Sequence, residues 1–232
     1  MIKQAKSPEE LKNLPETGVE ALKIRSLLLA YGTDYDFCRF FTGENVVLAQ
    51  LNGDFIISDF GETDVEELSE FLNFSGFSEI FCSEYLGQAL EKRLDVKLEN
   101  VKLMRFFGVP EKNELEILTP LDAYQIIKTG FGFDFEPWYL DMSHRVRHGI
   151  SQLYGLDGAA LAVQYNLNGE ALISQVATLP EKRGKGCAKR LISAVCAELS
   201  ESNVFVLCED KLLGFYGKIG FVTEGTKCCL RK

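Results

Sequence analysis

A short hairpin pattern occurs twice in this chain, and it constrains the fold more than any other feature of the sequence. Residues 51–58 read Leu-Asn-Gly-Asp-Phe-Ile-Ile-Ser, and residues 167–174 read Leu-Asn-Gly-Glu-Ala-Leu-Ile-Ser. An Asn-Gly pair between two apolar runs is a strong signal for a β-hairpin. Because the two copies stand half a chain length apart, the pattern predicts two similar halves, each built around an antiparallel meander.

The segments after the two hairpins also follow one another in the same order. In each half a short apolar strand comes next, at residues 80–82 and 206–208, and a Leu-Gly pair then opens a helix. Turn-like residues at 108–113 mark the predicted boundary, so we predict two domains, residues 1–112 and residues 113–232. The expected fold class is α+β, with a mixed, mostly antiparallel twisted sheet flanked by helices.

Apolar periodicity, capping residues and glycine stops predict the individual elements. Helices are expected from Ser7, at 19–30, from the cap at residues 63–66 to near Gly76, and at 85–94, 120–129, 186–200 and 210–218, with another helix carrying His144 and His148. Strands are expected at 37–41, 46–51, 54–59, 79–82, 101–107, 150–154, 159–166, 171–178, 203–208 and 221–230.

The charge balance limits the classes of partner. The chain has 25 basic and 34 acidic residues, a net charge of −9 and a pI near 4.9. Nucleic acids and membrane surfaces are polyanionic, so this balance predicts a protein that binds neither. No apolar run approaches the ~20 residues of a membrane span, and the N-terminus lacks the apolar segment of a signal peptide.

Cysteine and histidine usage predicts a cytoplasmic protein without a metal site. The seven cysteines are odd in number, include no Cys-x-x-Cys pair and lie mostly in apolar segments, as expected for buried, reduced thiols. His144 and His148 stand one helical turn apart, a spacing that suits a metal. No third ligand accompanies them, however, and Arg145 and Arg147 beside them would repel a cation.

One loop concentrates positive charge on this acidic chain. It contains two glycines, Gly184 and Gly186, and lies between an apolar strand and an amphipathic helix. Glycines in this position aim backbone N–H groups at one point, where the helix dipole adds roughly half a positive charge. The expected ligand is therefore an anion, in particular a phosphate ester. The cations in and around the loop are Lys182, Arg183, Lys185, Lys189 and Arg190.

Three kinds of phosphate loop place glycines before a helix, and two of them fit poorly. A Walker loop needs a hydroxyl residue after its lysine, which this loop lacks. A dinucleotide-binding loop would match Gly184 and Gly186 and a later acid at Glu209, but Lys189 replaces its third glycine and the preceding strands form a meander. The dinucleotide interpretation and a solvated basic helix start remain the alternatives.

The third kind of loop is found in the GCN5-related N-acetyltransferase (GNAT) family. Arg183-x-x-Gly186-x-Ala188 resembles the Gln/Arg-x-x-Gly-x-Gly/Ala loop of that family, and residues 215–221, Phe-Tyr-Gly-Lys-Ile-Gly-Phe, are similar to its second motif. The two motifs keep the family's order and separation, and the resemblance covers residues 116–232. The first half lacks both motifs, so it looks like a degenerate copy of the same domain without a coenzyme loop.

The resemblance implies acetyl-coenzyme A as the co-substrate. In the family, the loop binds the pyrophosphate, and backbone groups of the preceding strand hold pantetheine and polarise the acetyl carbonyl. A tyrosine at the position of Tyr216 often acts there as the acid near the coenzyme sulfur; packing of this ring against a short helix is the alternative. The coenzyme-binding roles extend by resemblance to Val176, Ala177 and Thr178 in the strand and to Arg183, Gly184, Lys185, Gly186, Cys187 and Ala188 in the loop.

Two positions depart from the family pattern. The strand before the loop has Ser174 and Gln175 where some relatives have a glutamate, so the general base is not identified by the motif. The family's Asn-x-x-Ala before the second motif is replaced by Glu209 and Leu212, so an asparagine contact with pantetheine is not predicted.

The segment before the second meander is the predicted acceptor site. In the family this region lines the acceptor pocket, and an aromatic and acidic lining would suit a cationic amine. Packing of the rings between two helices is the alternative. One of the acids, or an ordered water, would then serve as the base. The residues concerned are Phe131, Phe133, Phe135, Trp138 and Tyr139, with Asp134, Glu136 and Asp141.

These features together predict an N-acetyltransferase without a metal cofactor. It would transfer the acetyl group of acetyl-coenzyme A to the amine of an unidentified small-molecule acceptor by direct attack in a ternary complex. Cys187 is the nearest thiol, but it is expected to face the helix core rather than to form a covalent intermediate. A catalytically inactive module that binds acyl-coenzyme A or is purely structural is the alternative function.

Overall fold

The structure, a computed structural model, describes all residues from Met1 to Lys232 and forms two compact units. Unit 1 comprises Met1–Lys102 together with Gly225–Lys232, and unit 2 comprises Leu103–Glu224. This division differs from the single boundary between residues 112 and 113 that the sequence predicts. The C-terminal residues belong to unit 1 because they pair antiparallel with the strand Glu79–Ser83, and local sequence signals do not identify such a distant partner.

The chain folds into twelve strands and seven α-helices, and no helix has the length and apolar character that crossing a membrane requires. From the N-terminus these are β1 (Lys3–Gln4), α1 (Val19–Tyr31), β2 (Cys38–Gly43), β3 (Val46–Leu51), β4 (Asp54–Asp59), α2 (Val65–Ser75), β5 (Glu79–Ser83), α3 (Glu84–Glu91) and β6 (Lys97–Phe106). The second part of the chain forms β7 (Glu116–Ile117), α4 (Pro120–Ile127), α5 (Phe135–Arg147), β8 (Gln152–Leu156), β9 (Ala159–Leu167), β10 (Glu170–Thr178), α6 (Cys187–Glu198), β11 (Asn203–Cys208), α7 (Leu213–Gly217) and β12 (Phe221–Arg231).

The helix predicted from Ser7 is only a 3₁₀ turn, Pro8–Leu11. Ser7 precedes it in extended conformation, but its side chain makes no cap hydrogen bond. Pro15 follows closely, and a proline disfavours the helical conformation of the residue before it, here Leu14. The segment therefore has no room for a longer helix.

Unit 1 is a mixed sheet with an apolar core. Strands β2, β3 and β4 pair antiparallel in an uninterrupted register, and β4 pairs parallel with β5. The hairpin between β3 and β4 turns at Asn52 and Gly53, whose φ angles of 52° and 96° are the left-handed values that an Asn-Gly turn supplies. Helix α2 buries Leu68 and Leu72 completely, as its 3.6-residue periodicity predicts.

Unit 2 has apolar cores on both faces of its sheet, and β9 shows why. Its residues alternate between the two cores: Leu161 and Val163 join the cluster under α6, whereas Ala160 and Ala162 join the cluster under α4 and α5. A strand covered on both faces needs apolar residues at every position, and β9 begins with five of them. The fold class, a mixed and mostly antiparallel sheet flanked by helices, is confirmed.

The pairing of β10 decides against a doubly wound fold for unit 2. Strands β8, β9 and β10 form the predicted antiparallel meander, and the parallel pairing of β10 with β11 involves only Glu170–Ile173 and 203–206. A dinucleotide-binding domain requires an extended parallel sheet on both sides of its phosphate loop. The dinucleotide alternative therefore does not fit this topology.

Candidate functional site

The glycine-containing loop of unit 2 connects β10 to α6 and depends on two left-handed residues. Gly184 and Gly186 have φ angles of 74° and 76°, a region that residues with a Cβ rarely adopt. Pro180 begins a short 3₁₀ turn that ends the strand, since it has no N–H for a ladder. The two glycines then turn the chain so that α6 starts at Cys187, and all of 180–186 is exposed.

The N-terminus of α6 is not capped by any side chain. Gly186 occupies the N-cap position, and no side chain accepts a hydrogen bond from the first backbone N–H groups. Helix α2 of unit 1 differs, because the Asp64 carboxylate accepts from the N–H groups of Glu66 and Glu67. The uncapped N–H groups of α6 are therefore free to bind an anion, whereas those of α2 already hold one.

The two arginines of the loop hold its shape. Arg190 donates to the Lys185 carbonyl at 3.0 Å and to the Asp157 carboxylate at 2.7 Å, and the hydrogen bond with Asp157 raises the pKa of Arg190. Arg183 donates to the Thr129 carbonyl at 2.7 Å and to the Thr178 carbonyl at 3.1 Å. Both guanidinium groups donate hydrogen bonds to carbonyl or carboxylate oxygens of the loop and of the segments beside it, and these bonds stabilise the conformation of the loop.

Three lysines supply the remaining charge. Lys182, Lys185 and Lys189 are exposed, and none of them forms an ion pair. Together with the α6 dipole they give the loop a positive field on a chain whose net charge is −9. The structure therefore brings the residues of the predicted anion site together, and the exposed Arg183 side chain bonds to the ends of α4 and β10.

Strand β10 loses its β11 partner just before the loop. The parallel pairing ends at Ile173 and Val206, and residues 174–178 continue along β9 alone. One edge of β10 is thus left without strand partners over the segment that contains the predicted contacts Val176, Ala177 and Thr178. The Thr178 carbonyl is occupied by Arg183 and by the Thr129 hydroxyl, so Val176 and Ala177 are better placed for an extended ligand.

A β-bulge interrupts the same segment of β10. Ser174 pairs with Ala162 and Ala177 with Ala160, so β10 has one residue more than β9 between these pairs. Gln175 lies in the bulge with a φ of 54°, and its side-chain oxygen accepts a hydrogen bond from Trp138 Nε1 at 2.9 Å. The hydroxyl oxygen of Ser174 is buried and has no hydrogen-bond partner.

Tyr216 lies in the apolar cluster under α6, as does Cys187. Its side chain is only 5% exposed, and its ring packs edge-on against Phe221 with centroids 5.5 Å apart. Burial, and secondarily the neighbouring Cys208 thiol, raise the pKa of Tyr216 well above the ordinary value of a phenol. Val176 packs against the same cluster, so the structure brings the predicted acid, the strand and the start of α6 to one side of the sheet.

The aromatic segment packs mainly between α4 and α5. Tyr124 contacts Phe135 and Trp138, with ring centroids 4.9 Å and 5.4 Å apart, and its hydroxyl donates to the Phe133 carbonyl. Trp138 is buried, whereas Phe133 and Phe135 keep about two-fifths of their surface exposed. The interhelical packing alternative thus accounts for Trp138, and the rings at the start of α5 remain partly open to a ligand.

The acids of this segment differ in their availability. Asp141 accepts from Arg145 Nε through both carboxylate oxygens, at 2.9 Å and 3.0 Å. Asp134 and Glu136 are exposed in the first turn of α5. His144 and His148 stack with centroids 4.1 Å apart at the other end of α5, and nowhere do three potential metal ligands form a group.

Some functional neighbours were missed by sequence reasoning. Asp157, which anchors Arg190, lies in the turn between β8 and β9, and Thr129 contributes its carbonyl from the end of α4. The Asp-Gly pair at 157–158 is a hairpin signal that places a turn, but nothing local indicates that the turn faces the loop. A concavity of about 400 Å³ lies away from the loop, lined by residues of β8, of α6 and of 112–117.

One protein-family model matches the second part of the chain. Residues 141–231, which include the bulge, the loop and Tyr216, match the family model described as an acetyltransferase (GNAT) domain. By sequence alone, no curated protein matches the chain.

Solved structures extend the likeness to the whole fold. A Drosophila protein superposes with a TM-score of 0.67 at 12% identity, covering 100% of this chain and 98% of that one. A GCN5-related N-acetyltransferase from Kribbella flavida gives 0.63 at 14% identity, covering 92% and 93%. A glucosamine N-acetyltransferase region of a fungal multi-domain β-N-acetylglucosaminidase gives 0.60 at 13% identity, covering 99% of this chain and 38% of that one. At these identities the likeness establishes the fold.

Proposed function

We propose that this chain, whose residues 141–231 match the acetyltransferase (GNAT) family model, is an N-acetyltransferase that uses acetyl-coenzyme A and carries its active site in unit 2. The observation that carries the proposal is the uncapped N-terminus of α6 behind a loop of two left-handed glycines. A pyrophosphate suits this arrangement because its oxygens can accept from several backbone N–H groups and attract the nearby lysines at the same time.

The unpaired edge of β10 supports the binding of the pantetheine arm. Pantetheine contains two amides, and an extended ligand of this kind can pair with an open strand edge as a peptide does. Val176 and Ala177 lie in the segment that lacks a β11 partner, and the strand leads directly into the loop. We therefore assign the pantetheine contacts to the backbone of Val176 and Ala177, and the pyrophosphate contacts to the backbone of residues 184–188.

The chemistry of transfer requires three groups. Attack of a neutral amine on the thioester creates an oxyanion, which needs an N–H donor, and then releases a thiolate, which needs a proton. The β10 bulge offers backbone N–H groups for the oxyanion. Tyr216 is the proposed acid, because its phenol lies on the same side of the sheet as Val176.

The acceptor is proposed to be an amine that approaches from α5. Partly exposed aromatic rings stand there beside the carboxylates of Asp134 and Glu136, a lining that attracts a cation with an apolar body. Asp141 is already paired with Arg145, so Asp134, Glu136 or a water they hold is the better candidate for the base.

Unit 1 is proposed to bind no coenzyme. Two N–H groups at the start of α2 donate to the Asp64 carboxylate, and the acids Glu66 and Glu67 lie in the first turn of the helix. Strand β4 pairs with β3 without a bulge. From the meander onward the order of elements, three strands followed by helix, strand and helix, is the same in both units and supports the predicted duplication; before the meander, unit 2 has two α-helices where unit 1 has one.

One observation favours a second candidate function. Tyr216 is nearly inaccessible and has apolar neighbours, as a purely structural ring would. A module that binds acyl-coenzyme A without acid catalysis by Tyr216 would show the same loop and the same strand edge. The two candidates differ in turnover and not in coenzyme binding.

Calorimetric titration with acetyl-coenzyme A tests the coenzyme part of the proposal. We expect one molecule bound per chain, with an affinity that falls as salt is added because the loop contributes positive charge. An Asp64→Ala variant serves as the control, since it alters the equivalent helix start in unit 1 and should leave stoichiometry and affinity unchanged. Absence of binding at millimolar acetyl-coenzyme A would contradict the proposal.

A panel of amines tests the reaction. An arylalkylamine, an aliphatic diamine, glucosamine and a lysine-containing peptide are each incubated with acetyl-coenzyme A, and product is detected by mass spectrometry. The proposal predicts acetylation of at least one amine with a primary amino group, whereas the inactive module predicts none. Glucosamine is included because the structurally similar fungal region is named as a glucosamine N-acetyltransferase.

A further inference from the structure

Gln175 has a backbone conformation that a residue with a side chain rarely adopts. Its φ of 54° lies in the left-handed region, where Cβ crowds the following carbonyl. The other residues with positive φ and a side chain are Asn or Asp, which tolerate this region. A strained conformation of this kind persists only where surrounding structure holds it.

The neighbouring strands do not hold the backbone of Gln175. On one side, the β9 pairing passes from Ser174 to Ala177 and leaves Gln175 and Val176 between the paired residues. On the other side, the β11 pairing has already ended at Ile173. Regular strand pairing thus does not account for the conformation of Gln175, and its side chain is the contact to consider.

The side chain of Gln175 is fixed by Trp138. The indole Nε1 donates to Gln175 Oε1 at 2.9 Å, and Trp138 itself is 8% exposed in the cluster of α4, α5 and β9. Tyr124 packs against the indole with ring centroids 5.4 Å apart. A buried ring held on several sides is a rigid anchor, so this hydrogen bond can oppose relaxation of the bulge into a regular strand.

We propose that the hydrogen bond between Trp138 and Gln175 positions the β10 bulge for the acetyl group, and that it thereby gives the protein its preference for acetyl-coenzyme A over free coenzyme A. The inference rests on the proposed function, because the bulge supplies the N–H groups assigned to the thioester carbonyl. Gln175 and Trp138 are positioning residues in this proposal. Trp138 belongs to α5, so this clamp, the hydrogen bond between Trp138 and Gln175, also connects the helix of the proposed acceptor site to the strand that would hold the thioester.

The test compares the affinities of the two coenzyme forms in matched variants. Gln175→Glu keeps an oxygen that can accept from the indole, Gln175→Ala removes it, and Gln175→Gly removes it but tolerates the left-handed backbone. Trp138→Phe removes the donor while keeping an aromatic ring. Gln152→Ala, on β8, is the control for removal of a glutamine from the sheet.

The chain contains a single tryptophan, so one indole N–H resonance reports the clamp directly by NMR. That resonance should keep its position in Gln175→Glu and in the control, and move upfield in Gln175→Ala and Gln175→Gly. Wild-type protein should bind acetyl-coenzyme A about fivefold more tightly than coenzyme A, the value of one net hydrogen bond.

We expect this ratio to fall to about one in Gln175→Ala and in Trp138→Phe, and to be retained in Gln175→Glu and the control. The ratio for Gln175→Gly should lie between those of wild type and Gln175→Ala, because a glycine can adopt the left-handed conformation of the bulge without the clamp. Affinity for free coenzyme A should change less than twofold throughout. In the double variant, Gln175→Ala with Trp138→Phe, the ratio of the two affinities should fall no further than in either single variant, since both changes remove the same hydrogen bond.

Two negative outcomes are distinguishable. If wild-type protein binds neither coenzyme form, the proposed function fails and the clamp has no substrate to position. If wild-type protein prefers acetyl-coenzyme A and the Ala and Phe variants keep the same preference, only the clamp is overturned. Should Gln175→Ala fail to fold, Trp138→Phe decides the question by the same ratio.

Discussion

The start of α6 offers the sharpest test of the anion site, through replacement of Gly186 by alanine. Gly186 has a φ of 76°, and a Cβ built there would meet nothing closer than Arg190 Nη1, at 3.6 Å. The cost of alanine is therefore conformational rather than steric, about 1–2 kcal/mol for an L-residue in the left-handed region. For a chain of this size that cost lowers Tm by about 2–8 °C.

The same substitution should weaken coenzyme binding more than it weakens the fold. If the loop relaxes to avoid the left-handed region, the first N–H groups of α6 turn away from the ligand. Loss of one hydrogen bond to a charged group costs about 1.5–3 kcal/mol, which corresponds to roughly a 10- to 150-fold increase in Kd. We expect Gly186→Ala to raise the Kd of coenzyme A at least about tenfold, measured by calorimetry.

Gly225→Ala is the matched control for this experiment. Gly225 has no positive φ and no heavy atom within 4 Å of a built Cβ, and it belongs to unit 1. Its replacement should leave the Kd unchanged and should not lower Tm. A Gly186→Ala protein with lowered Tm but wild-type affinity would refute the assignment of the pyrophosphate to the loop N–H groups, and an unchanged Tm would refute the left-handed conformation itself.

Three further outcomes follow from the structure. Tyr216→Phe should lower kcat by about 10²- to 10⁴-fold with little change in the Kd of acetyl-coenzyme A, and full turnover in this variant would assign the acid role elsewhere. Gly87→Ala should destabilise the protein by about 3 kcal/mol in chemical denaturation, because its Cβ would lie 2.4 Å from Cys228 Cβ in the core of unit 1; a variant as stable as wild type would show that this contact can relax. Burial raises the pKa of Cys196 to about 12 and that of Cys229 to about 11, so their contribution to the free energy of unfolding is complete below pH 9 and is lost as the pH rises through these values. A Cys196→Ala variant should lose less stability between pH 9 and pH 11 than wild type, and equal losses would contradict the burial of this thiol.

The proposed division of labour between the units depends on small local differences. Both units contain a meander followed by a helix, but Asp64 caps α2 and Gly186 leaves α6 uncapped. A carboxylate at the N-cap satisfies the N–H groups and cancels the field that would attract a phosphate. The cap residue is therefore one of the differences between the two helix starts, together with the left-handed glycines, the lysines and the open strand edge of unit 2.

Local signals in the sequence predicted much of the fold. Asn-Gly pairs placed the hairpins, apolar periodicity placed the helices, and the meander was predicted within a few residues because each signal acts between neighbours in the chain. The division into units was predicted differently from what the structure shows, since the partner of the last strand lies far away in sequence. The same limit applies to Asp157 and Thr129, whose contacts with the loop arginines involve distant residues.

The sequence by itself determined the family resemblance, strand β10, the glycine loop that follows it and the order of the elements around them. These features depend on residue types at short spacings. Only the tertiary structure decided that Arg183 and Arg190 support the loop, that β10 leaves β11 after Ile173, and that Trp138 holds Gln175 in a left-handed bulge. These arrangements arise from packing and hydrogen bonds between distant segments, whose free energies depend on three-dimensional neighbours rather than on residues adjacent in the chain.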